Sequence, residues 1–309
     1  MGAAICERSG VVNIAMEGLM LVGAFGSVMG ALLTGNIWVG FFAGLLTSCL
    51  FAAVHAFASI NLRSDQVVSG TAINILAIGM TGFLVKMMFG RPGTVGLNDS
   101  VLATKVLGHP VAAIKSVQPI FDFPSGRPGV LGTIWTWIDT ILLSYTPIVY
   151  IGIFSAFFLT WALFRTRWGL RLRSLGEHPR AADTVGINVA RGRWLAVLIS
   201  GLMAGLAGAS LGLEQVGGFV DTMINGKGFI ALAANIFGRW IPGGGYLASL
   251  LFGFADALQL KLQIFSDVIR IPQQFFLMLP YILTVVVLAG VVGKAVAPAA
   301  LGKPYKSKG

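Results

Sequence analysis

Charged residues are scarce in this sequence. Asp, Glu, Lys and Arg together make up 11% of its 309 residues, whereas hydrophobic residues make up 56%. Soluble globular domains carry roughly 25% charged residues, so this composition excludes an ordinary water-soluble fold. The mean hydropathy of +0.82 agrees with that exclusion. We therefore expect membrane lipid to surround most of the chain, which would form one transmembrane domain over residues 1–309.

Cysteine and histidine are also rare. The two cysteines, Cys6 and Cys49, provide no disulfide framework and are predicted to be small packing residues. The three histidines are scattered and do not form the cluster that a metal site or a proton relay requires. We therefore predict no catalytic residues, no metal and no cofactor on this chain. A cleavable signal peptide is not indicated, because the N-terminus lacks a positive region and a small-residue cleavage site.

Motifs for nucleotide or nucleic-acid binding are absent. A phosphate-binding loop ending at Gly226 and Lys227 would need a glycine five positions before Gly226, where Asp221 stands. The formal net charge of +10 arises from basic residues between the apolar runs and at the C-terminus. This distribution is typical of the positive-inside pattern of membrane proteins, and it argues against a nucleic-acid partner.

Apolar runs of about 20 residues dominate what remains, and each is long enough to cross a bilayer core of roughly 30 Å as a helix. We predict an all-α, polytopic transmembrane helical bundle of about eight spans. The predicted spans cover residues 12–33, 38–60, 67–89, 138–164, 194–213, 226–240, 246–262 and 275–292.

Small residues recur in the fifth predicted span at a spacing that lets helix backbones approach each other closely. Such spacing indicates how helices associate in lipid and says nothing about a substrate. The residues are Gly201, Gly205, Gly208 and Gly212.

Arginine is concentrated between the fourth and fifth predicted spans. This loop, residues 165–193, is predicted to be cytoplasmic, because positive residues collect in short cytoplasmic loops. That placement puts the C-terminus in the cytoplasm and makes residues 90–137 an external loop. The arginines of the cytoplasmic loop are Arg165, Arg167, Arg171, Arg173, Arg180, Arg191 and Arg193.

A weak internal repeat relates two of the predicted spans. Residues 12–26 align with residues 224–238, so that Asn13 falls on Asn225. The segments belong to the first and sixth spans, which would cross the membrane in opposite directions, as in the inverted repeats of transporters. A chance similarity between two apolar helices is the alternative explanation.

Polar side chains within the predicted spans are candidates for the path of a translocated solute, because polar groups at membrane depth are costly. Amide groups suit a neutral solute with several hydroxyl groups. The alternative is that these side chains only form hydrogen bonds between helices. The candidates are Asn13, Glu17, Asn74, Asn225 and Asn235.

A short helix is predicted at residues 179–185 of the cytoplasmic loop. Pro179 suits its first turn and Gly186 suits its end. An ordinary solvated loop is the alternative. The small apolar side chains of this helix are expected on one side, where they would fit the groove of a partner protein. They are Ala181, Ala182 and Val185.

Six sequence blocks lie in order along nearly the whole chain and together resemble the permeases of bacterial ABC importers for simple sugars and nucleosides. This class includes ribose and branched-chain amino-acid permeases, and the resemblance is strongest to the nucleoside branch that works with lipoproteins of the basic membrane protein type. The blocks are ERSGVVNIAMEG (7–18), TRWGLRLRSLGEHPRAADTVGINV (166–189), SGLMAGLAGASL (200–211), NGKGFIALAANIFGRWIPGGG (225–245), MLPYILT (278–284) and PAALGKPY (298–305).

The resemblance implies a location in the bacterial inner membrane and a translocation subunit that is not itself an enzyme. It also implies three protein partners: an ATPase subunit that binds ATP and Mg²⁺, a second related permease and an extracellular solute-binding lipoprotein. Residues of the cytoplasmic loop would dock on the ATPase. By this resemblance they are Gly176, Glu177, His178, Pro179, Ala181, Ala182, Asp183 and Gly186.

The sequence departs from the family at its N-terminus, because relatives usually carry another apolar helix before the ERSG block. We expect this form either to lack that helix or to start late. With such a helix, the ERSGVVN segment would lie at a break within the membrane, which requires burial in protein or a cavity.

Two other kinds of protein remain as alternatives. An ion-coupled secondary transporter of a small polar solute would need a proton or sodium site, for which Glu17 with Asp256 is the candidate pair. A membrane-embedded enzyme would need a convergent catalytic set, which the sequence does not contain.

Overall fold

The computed structural model describes residues 1–90, 93–97, 145–264 and 296–306, together with Phe275, Met278 and Ile282. Most of the predicted external loop 90–137 lies outside the described residues. So do residues 138–144 of the fourth predicted span and nearly all of the predicted span 275–292.

Helices make up most of the described chain. They are α1 (Gly2–Arg8), α2 (Met16–Thr34), α3 (Ile37–Ala56), α4 (Gln66–Phe89), α5 (Pro147–Arg165), α6 (Arg167–Glu177), α7 (Pro179–Thr184), α8 (Val189–Ser210), α9 (Lys227–Phe237) and α10 (Pro242–Ile264). Single π-helical turns, Phe57–Asn61 and Leu211–Gln215, extend α3 and α8.

Local sequence explains several helix ends. The side chain of Asn36 accepts a hydrogen bond from an amide in the first turn of α3, and that of Asp65 accepts two from α4. Gly35 and Gly90 follow α2 and α4 in the left-handed conformation, which glycine adopts without a steric cost. Capping residues thus mark where α2, α3 and α4 begin or end, although all three helices are strongly apolar.

A two-stranded ribbon adds to the all-α fold that the sequence predicts. Strand β1 (Thr94–Gly96) pairs antiparallel with β2 (Gly218–Val220), so that Thr94 lies opposite Val220. The ribbon joins the chain after α4 to the chain after α8.

Five helices are long and apolar enough to cross a membrane: α2, α3 with its π-turn, α4, α5 and α8 with its π-turn. They correspond to the first five predicted spans, so the helical, polytopic character of the fold is confirmed. The predicted count of eight spans is not confirmed by the described residues. The predicted span 246–262 lies within α10, which has the length of a span but is not among those five helices.

The predicted sixth span, residues 226–240, is corrected by the structure. Its helix, α9, has only 11 residues, which is about 16 Å of helix and half the thickness of a bilayer core. The chain leaves the helix at Gly238 and turns through Arg239 and Trp240, both with φ of 55°. A continuous apolar run therefore contains a half-length helix and a turn.

Helix α2 lies at the centre of the bundle. Its most apolar stretch is 78% buried, compared with 28% for both α3 and α4, and it packs against α3, α4, α8 and α9. Large apolar side chains on the outer helices point away from the protein, as expected of surfaces that face lipid. Examples are Phe42, Leu46, Leu50, Phe154 and Phe157.

The glycines of α8 bring its backbone against α2 and α3, as their spacing predicts. A Cβ atom on Gly208 would lie 2.2 Å from the Met20 carbonyl oxygen and 2.7 Å from the Ala24 nitrogen, both in α2. A Cβ on Gly205 would lie 2.9 Å from the Leu45 Cα in α3. Larger residues at these positions would force the helices apart.

We expect Gly208→Ala to destabilise the protein by about 1–3 kcal/mol, because the added methyl group meets backbone atoms that cannot rotate away. Gly79→Ala in α4 is the matched control, since a Cβ there meets nothing within 4 Å. It should be neutral or stabilising by up to about 1 kcal/mol. Thermal unfolding of the detergent-solubilised variants measures the difference, and equal melting temperatures would contradict this packing.

Candidate functional site

The segment between α1 and α2, residues 9–15, is not helical and yet is buried. We refer to it as the break. Ser9, Val11, Asn13 and Ala15 are each 0% exposed. Backbone amides and carbonyls that leave a helix inside an apolar interior need other hydrogen-bond partners. The sequence predicts a buried break in the ERSGVVN segment for the case in which a further helix precedes it, and the burial of residues 9–15 fits that case.

Side chains from α3 and α4 supply partners at Val12. Its amide donates to Gln66 Oε1 over 2.7 Å, and its carbonyl oxygen lies 3.1 Å from His55 Nε2. The other ring nitrogen of His55 lies 3.1 Å from the Ser69 hydroxyl. The buried imidazole therefore bridges the break and α4.

Asn74 binds the break at its other end. Its Nδ2 donates to the Ile14 carbonyl over 3.0 Å, and its Oδ1 accepts from the Gly18 amide over 2.8 Å. A side-chain amide that makes both bonds replaces the backbone partner that a continuous helix would provide. The geometry of this predicted path residue thus favours hydrogen bonding between helices.

Asn13 lies in the break and points toward α8. Its Nδ2 donates to the Ser200 hydroxyl over 2.9 Å. Its Oδ1 is buried and has no hydrogen-bond partner among the described residues. Asn13 therefore fixes the break to α8 and keeps one acceptor available.

Glu17, in the first turn of α2, caps the first turn of α9. Its two carboxylate oxygens accept hydrogen bonds of 2.7 Å from the amides of Gly226 and Gly228. A Cβ on Gly228 would lie 2.5 Å from the Glu17 Cα. A carboxylate at this position satisfies amides that have no partner within their helix and interacts favourably with the helix dipole. The N-terminal ends of the two predicted repeat segments thus meet.

A small cavity lies beside this cap. Its volume is about 70 Å³, and Asn225 at its edge is exposed and has a left-handed φ of 46°. Pockets for small organic ligands occupy roughly 300–1,000 Å³. In this conformation the cavity is too small for a solute. Its lining residues are Glu17, Gly18, Leu21, Ile78, Thr222, Ile224 and Asn225.

Asn235 lies near the other end of α9 and is 1% exposed. Its Nδ2 donates to Glu7 Oε2 over 2.9 Å, and the Trp240 indole nitrogen donates to the same oxygen. Glu7 itself is buried, with 7% of the residue exposed. This predicted path residue therefore binds α1, and Glu7, which was not predicted as a site residue, is its partner. Glu7 belongs to the ERSG block that carries the family resemblance, and membership of that block was the feature of the sequence that pointed to it.

Arg8 connects α1 to two further segments. Its Nε donates to the Trp240 carbonyl over 2.9 Å, and its Nη2 donates to the Arg239 carbonyl over 3.0 Å. Its Nη1 lies 3.8 Å from Glu177 Oε1 at the end of α6. One guanidinium group thus contacts both the turn after α9 and the segment predicted to dock on a partner.

The predicted helix 179–185 is present as α7. Pro179 begins it, and Gly186 follows it with φ of 82°. The expectation that Ala181, Ala182 and Val185 share one side is wrong. Ala182 is 3% exposed and packs inward, whereas Val185 is 73% exposed and Ala181 is exposed as well. Positions 181 and 185 are one turn apart and face outward, while 182 lies about 100° around the helix.

The remaining predicted docking residues surround α7. His178 is exposed immediately before it, whereas Gly176 is buried in α6 and a Cβ there would lie 2.2 Å from the Arg8 carbonyl oxygen. Glu177 Oε2 accepts a 3.2 Å hydrogen bond from the Ala299 amide. The structure therefore brings these residues together on one surface, with Gly176 as a packing position beneath it.

Residues 298–306, which we call the C-terminal strap, hold this segment in place. The Ala300 amide donates to the Gly176 carbonyl over 2.8 Å, and the Gly302 amide donates to the Gly10 carbonyl over 3.1 Å. The strap thereby joins α6 to the break. Sequence reasoning recognised the PAALGKPY block of the strap but assigned no role to it.

A buried arginine of α8 binds the strap and the break together. Arg193 is 3% exposed, and it donates to the Lys303 carbonyl over 3.0 Å and to the Ser9 carbonyl over 3.2 Å. Loss of either segment would leave part of a buried guanidinium without acceptors, which is costly.

Tyr305 connects the strap to α7. Its hydroxyl donates to Asp183 Oδ2 over 2.8 Å. This hydrogen bond, more than burial or the nearby negative charge, raises the pKa of Tyr305 above its usual value of 10. The raised pKa extends the pH range in which the hydroxyl is protonated and can donate this hydrogen bond further into alkaline conditions.

A groove of about 780 Å³ runs between α7 and the strap. Its charged and titratable residues are mainly basic, since Glu177 is the single acid beside one histidine, one arginine and two lysines. Such a surface suits a partner segment that carries negative charge. The charged and titratable lining residues are Glu177, His178, Arg180, Lys303 and Lys306.

We expect Tyr305→Phe to loosen α7, because it removes the hydrogen bond by which the strap holds Asp183 of that helix. Amide hydrogen exchange of residues 179–184 should accelerate at least fivefold. Tyr246→Phe, a half-buried tyrosine of α10, is the control and should leave that exchange unchanged. Equal exchange in the two variants would show that the strap does not hold α7.

Metal binding finds no support in the described part of the chain, where no three His, Cys, Asp or Glu side chains are grouped closely enough to hold an ion.

The chain belongs to the family described as branched-chain amino acid transport system / permease component, which it matches over residues 1–288. That match covers the break, the arginine-rich segment with α7, and α9. It also establishes that the chain is a multi-pass membrane permease.

Curated relatives extend along nearly the whole chain. The guanosine ABC transporter permease protein NupQ of Bacillus subtilis is 43% identical over 99% of this chain and 91% of its own length. The nucleoside ABC transporter permease protein NupC of Lactococcus lactis is 38% identical over 100% and 92%. A putative glucose ABC transporter permease protein, TsgC13 of Haloferax volcanii, is 36% identical over 86% and 74%. No solved structure matches the chain.

Proposed function

We propose that this chain is the membrane-spanning subunit of an ATP-driven importer that translocates a nucleoside or a related small polar solute. The observation that carries the proposal is its similarity over nearly its whole length to permeases named for guanosine and nucleosides. The five long apolar helices among the described residues support a role as a translocation subunit. ATP hydrolysis would take place on a separate ATPase subunit that binds ATP and Mg²⁺.

Three protein partners complete the proposed importer in the bacterial inner membrane. The ATPase subunit docks on α7 and the groove beside it. A second permease, identical or related, packs beside this one, and an extracellular lipoprotein delivers the solute. The arginine-rich segment supports a cytoplasmic position for α7 and for the C-terminal strap. The exposure of Ala181 and Val185 supports docking, because these side chains point away from the chain's own core.

Translocation proceeds by alternating access in this proposal. The cap between Glu17 and α9 lies beside a cavity of about 70 Å³, so α9 or α2 must move before a nucleoside can pass. Asn225 is the exposed candidate for solute contact, and Asn13 offers a free acceptor in the break. Asn74 and Asn235 act through the helices that they hold together. These assignments remain predictions.

An ion-coupled transporter is supported less well. Its candidate ion site requires a free Glu17 carboxylate, whereas both oxygens of Glu17 accept backbone amides. The Glu17 side chain serves as a helix cap in this arrangement.

The transport proposal is tested with the permease reconstituted in vesicles together with the ATPase, the second permease and the lipoprotein from the same genome. We expect uptake of labelled guanosine that requires ATP and continues after ionophores collapse the ion gradients. Vesicles with an ATPase that cannot hydrolyse ATP serve as the control. Uptake that persists in them and stops with the ion gradient would overturn the proposal in favour of secondary transport.

A change at the end of α7 tests the docking assignment. Gly186 has a φ of 82°, which proline cannot adopt because its ring fixes φ near −65°. Gly186→Pro should therefore reduce ATP-driven uptake at least tenfold while the protein still enters the membrane. Gly186→Asn is the matched control, because asparagine tolerates the left-handed conformation, and it should retain at least half of the uptake.

Glu177→Arg provides an independent test of the same surface, since it places a second positive charge beside Arg8 and removes the acceptor of the Ala299 amide. Uptake should again fall at least tenfold. Wild-type uptake in both Glu177→Arg and Gly186→Pro would show that this segment does not couple to the ATPase.

A further inference from the structure

Arg8 lies between two parts of the molecule that the proposed function assigns to different tasks. On one side is Glu177, which adjoins α7, the proposed docking helix. On the other side are the carbonyl groups of Arg239 and Trp240, in the turn that ends α9. The first turn of α9 is capped by Glu17 of the candidate path. The Arg8 side chain therefore contacts both the segment next to the proposed docking helix and the turn at the end of α9, the helix whose first turn borders the candidate path.

The turn that Arg8 binds has an unusual backbone. Arg239 and Trp240 both have φ of 55°, and non-glycine residues rarely adopt this left-handed conformation in succession. Such residues persist only where surrounding contacts hold them in place. Besides the hydrogen bonds that the backbone of the turn makes itself, the side chains that hold it include Arg8, which donates two hydrogen bonds, and Glu7, which accepts one from the Trp240 indole. Without Arg8, the turn loses the donors that face its carbonyl groups.

The contacts of Arg8 differ in strength on its two sides. The hydrogen bonds to the turn are 2.9 and 3.0 Å long, and the Arg8 side chain is 18% exposed. The pair with Glu177 is 3.8 Å long, and the Glu177 side chain is 44% exposed. A partly exposed ion pair at that distance is weak and forms or breaks easily. Arg8 is therefore bound more strongly to the turn than to Glu177. Its ion pair with Glu177 can lengthen or shorten without breaking the hydrogen bonds to the turn.

We propose that Arg8 is a positioning residue that transmits movement of the docking segment to α9, and through α9 to the Glu17 cap. This inference rests on the proposed function for the identity of the moving partner. Movement of α7 carries the end of α6 with it and displaces Arg8, because Gly176 of α6 packs directly against the Arg8 backbone while Glu177 attracts the guanidinium. The turn at Arg239 and Trp240 follows because its carbonyl groups are bound to the guanidinium. The 11-residue helix α9 is short enough to carry this displacement to its first turn.

Arginine is required at this position for a geometric reason. Its planar group directs donors toward two carbonyl oxygens and one carboxylate at the same time, whereas a lysine ammonium is a compact group that cannot reproduce that fork. Arg8→Lys keeps the charge that faces Glu177 and loses the simultaneous contacts to the turn. Arg8→Gln loses the charge as well. The two variants therefore separate charge from positioning.

The experiment has one measurement that does not depend on transport. Amide hydrogen exchange of residues 236–245 is measured in the purified permease for wild type, Arg8→Gln and Arg8→Lys. Arg63→Gln, a change at an exposed arginine outside the contacts of Arg8, is the control. We expect exchange in this segment to accelerate at least tenfold in Arg8→Gln, to a smaller extent in Arg8→Lys, and not at all in the control. Unchanged exchange in Arg8→Gln would overturn the positioning role, whatever the chain transports.

The second measurement is the number of guanosine molecules imported per ATP hydrolysed by the reconstituted importer. Arg8→Gln should assemble with the ATPase and hydrolyse ATP within twofold of wild type, while this ratio falls at least tenfold. A residue needed only for folding would lower assembly, hydrolysis and uptake together, and that result would overturn the inference. If wild-type vesicles show no ATP-driven uptake, the proposed function fails, and accelerated exchange in Arg8→Gln would still support the contact between Arg8 and the turn.

Discussion

The backbone of residues 9–15 imposes the constraint on which much of the structure depends. Here the chain leaves one helix and enters another within the protein interior, where no water is available to bind its amides and carbonyls. Gln66, His55 and Asn74 provide the missing partners. Each of these side chains comes from α3 or α4, so the break can exist only with those helices in register. Because α2 begins at Met16, directly after the break, the contacts that hold the break against α3 and α4 also place the start of α2 between those helices.

The same segment also determines how the two ends of α9 are held. Glu7 and Arg8 precede the break and bind the turn after α9, while Glu17 follows it and caps the start of α9. The eleven residues from Glu7 to Glu17 thus contact both ends of a helix that lies more than 200 residues away in the sequence. A half-length helix has few contacts of its own with which to resist displacement, so its position depends on these polar contacts at its ends.

The sequence predicted the parts of the fold that depend on local composition. Apolar runs identified the five long helices, glycine spacing identified the close packing of α8, and Pro179 with Gly186 identified α7. Composition could not predict the shortness of α9, because Asn225, Arg239 and Trp240 adopt left-handed backbone without being glycine. It also could not assign Glu7, Arg8 or the C-terminal strap to the site. Their partners are distant in sequence, and only packing brings them together.

The uneven placement of strong and weak contacts indicates which part of the molecule can move. The buried bonds around the break, such as that between Asn13 and Ser200, have no competing solvent and stabilise one arrangement. Two contacts at the edge of the proposed docking surface are partly exposed: the pair between Arg8, which lies behind that surface, and Glu177, and the bond from Tyr305 to Asp183. Water can replace such contacts at low cost. A force applied to α7 would therefore change these surface contacts first, while the break keeps the surrounding helices fixed, and α9 is the element that borders both regions.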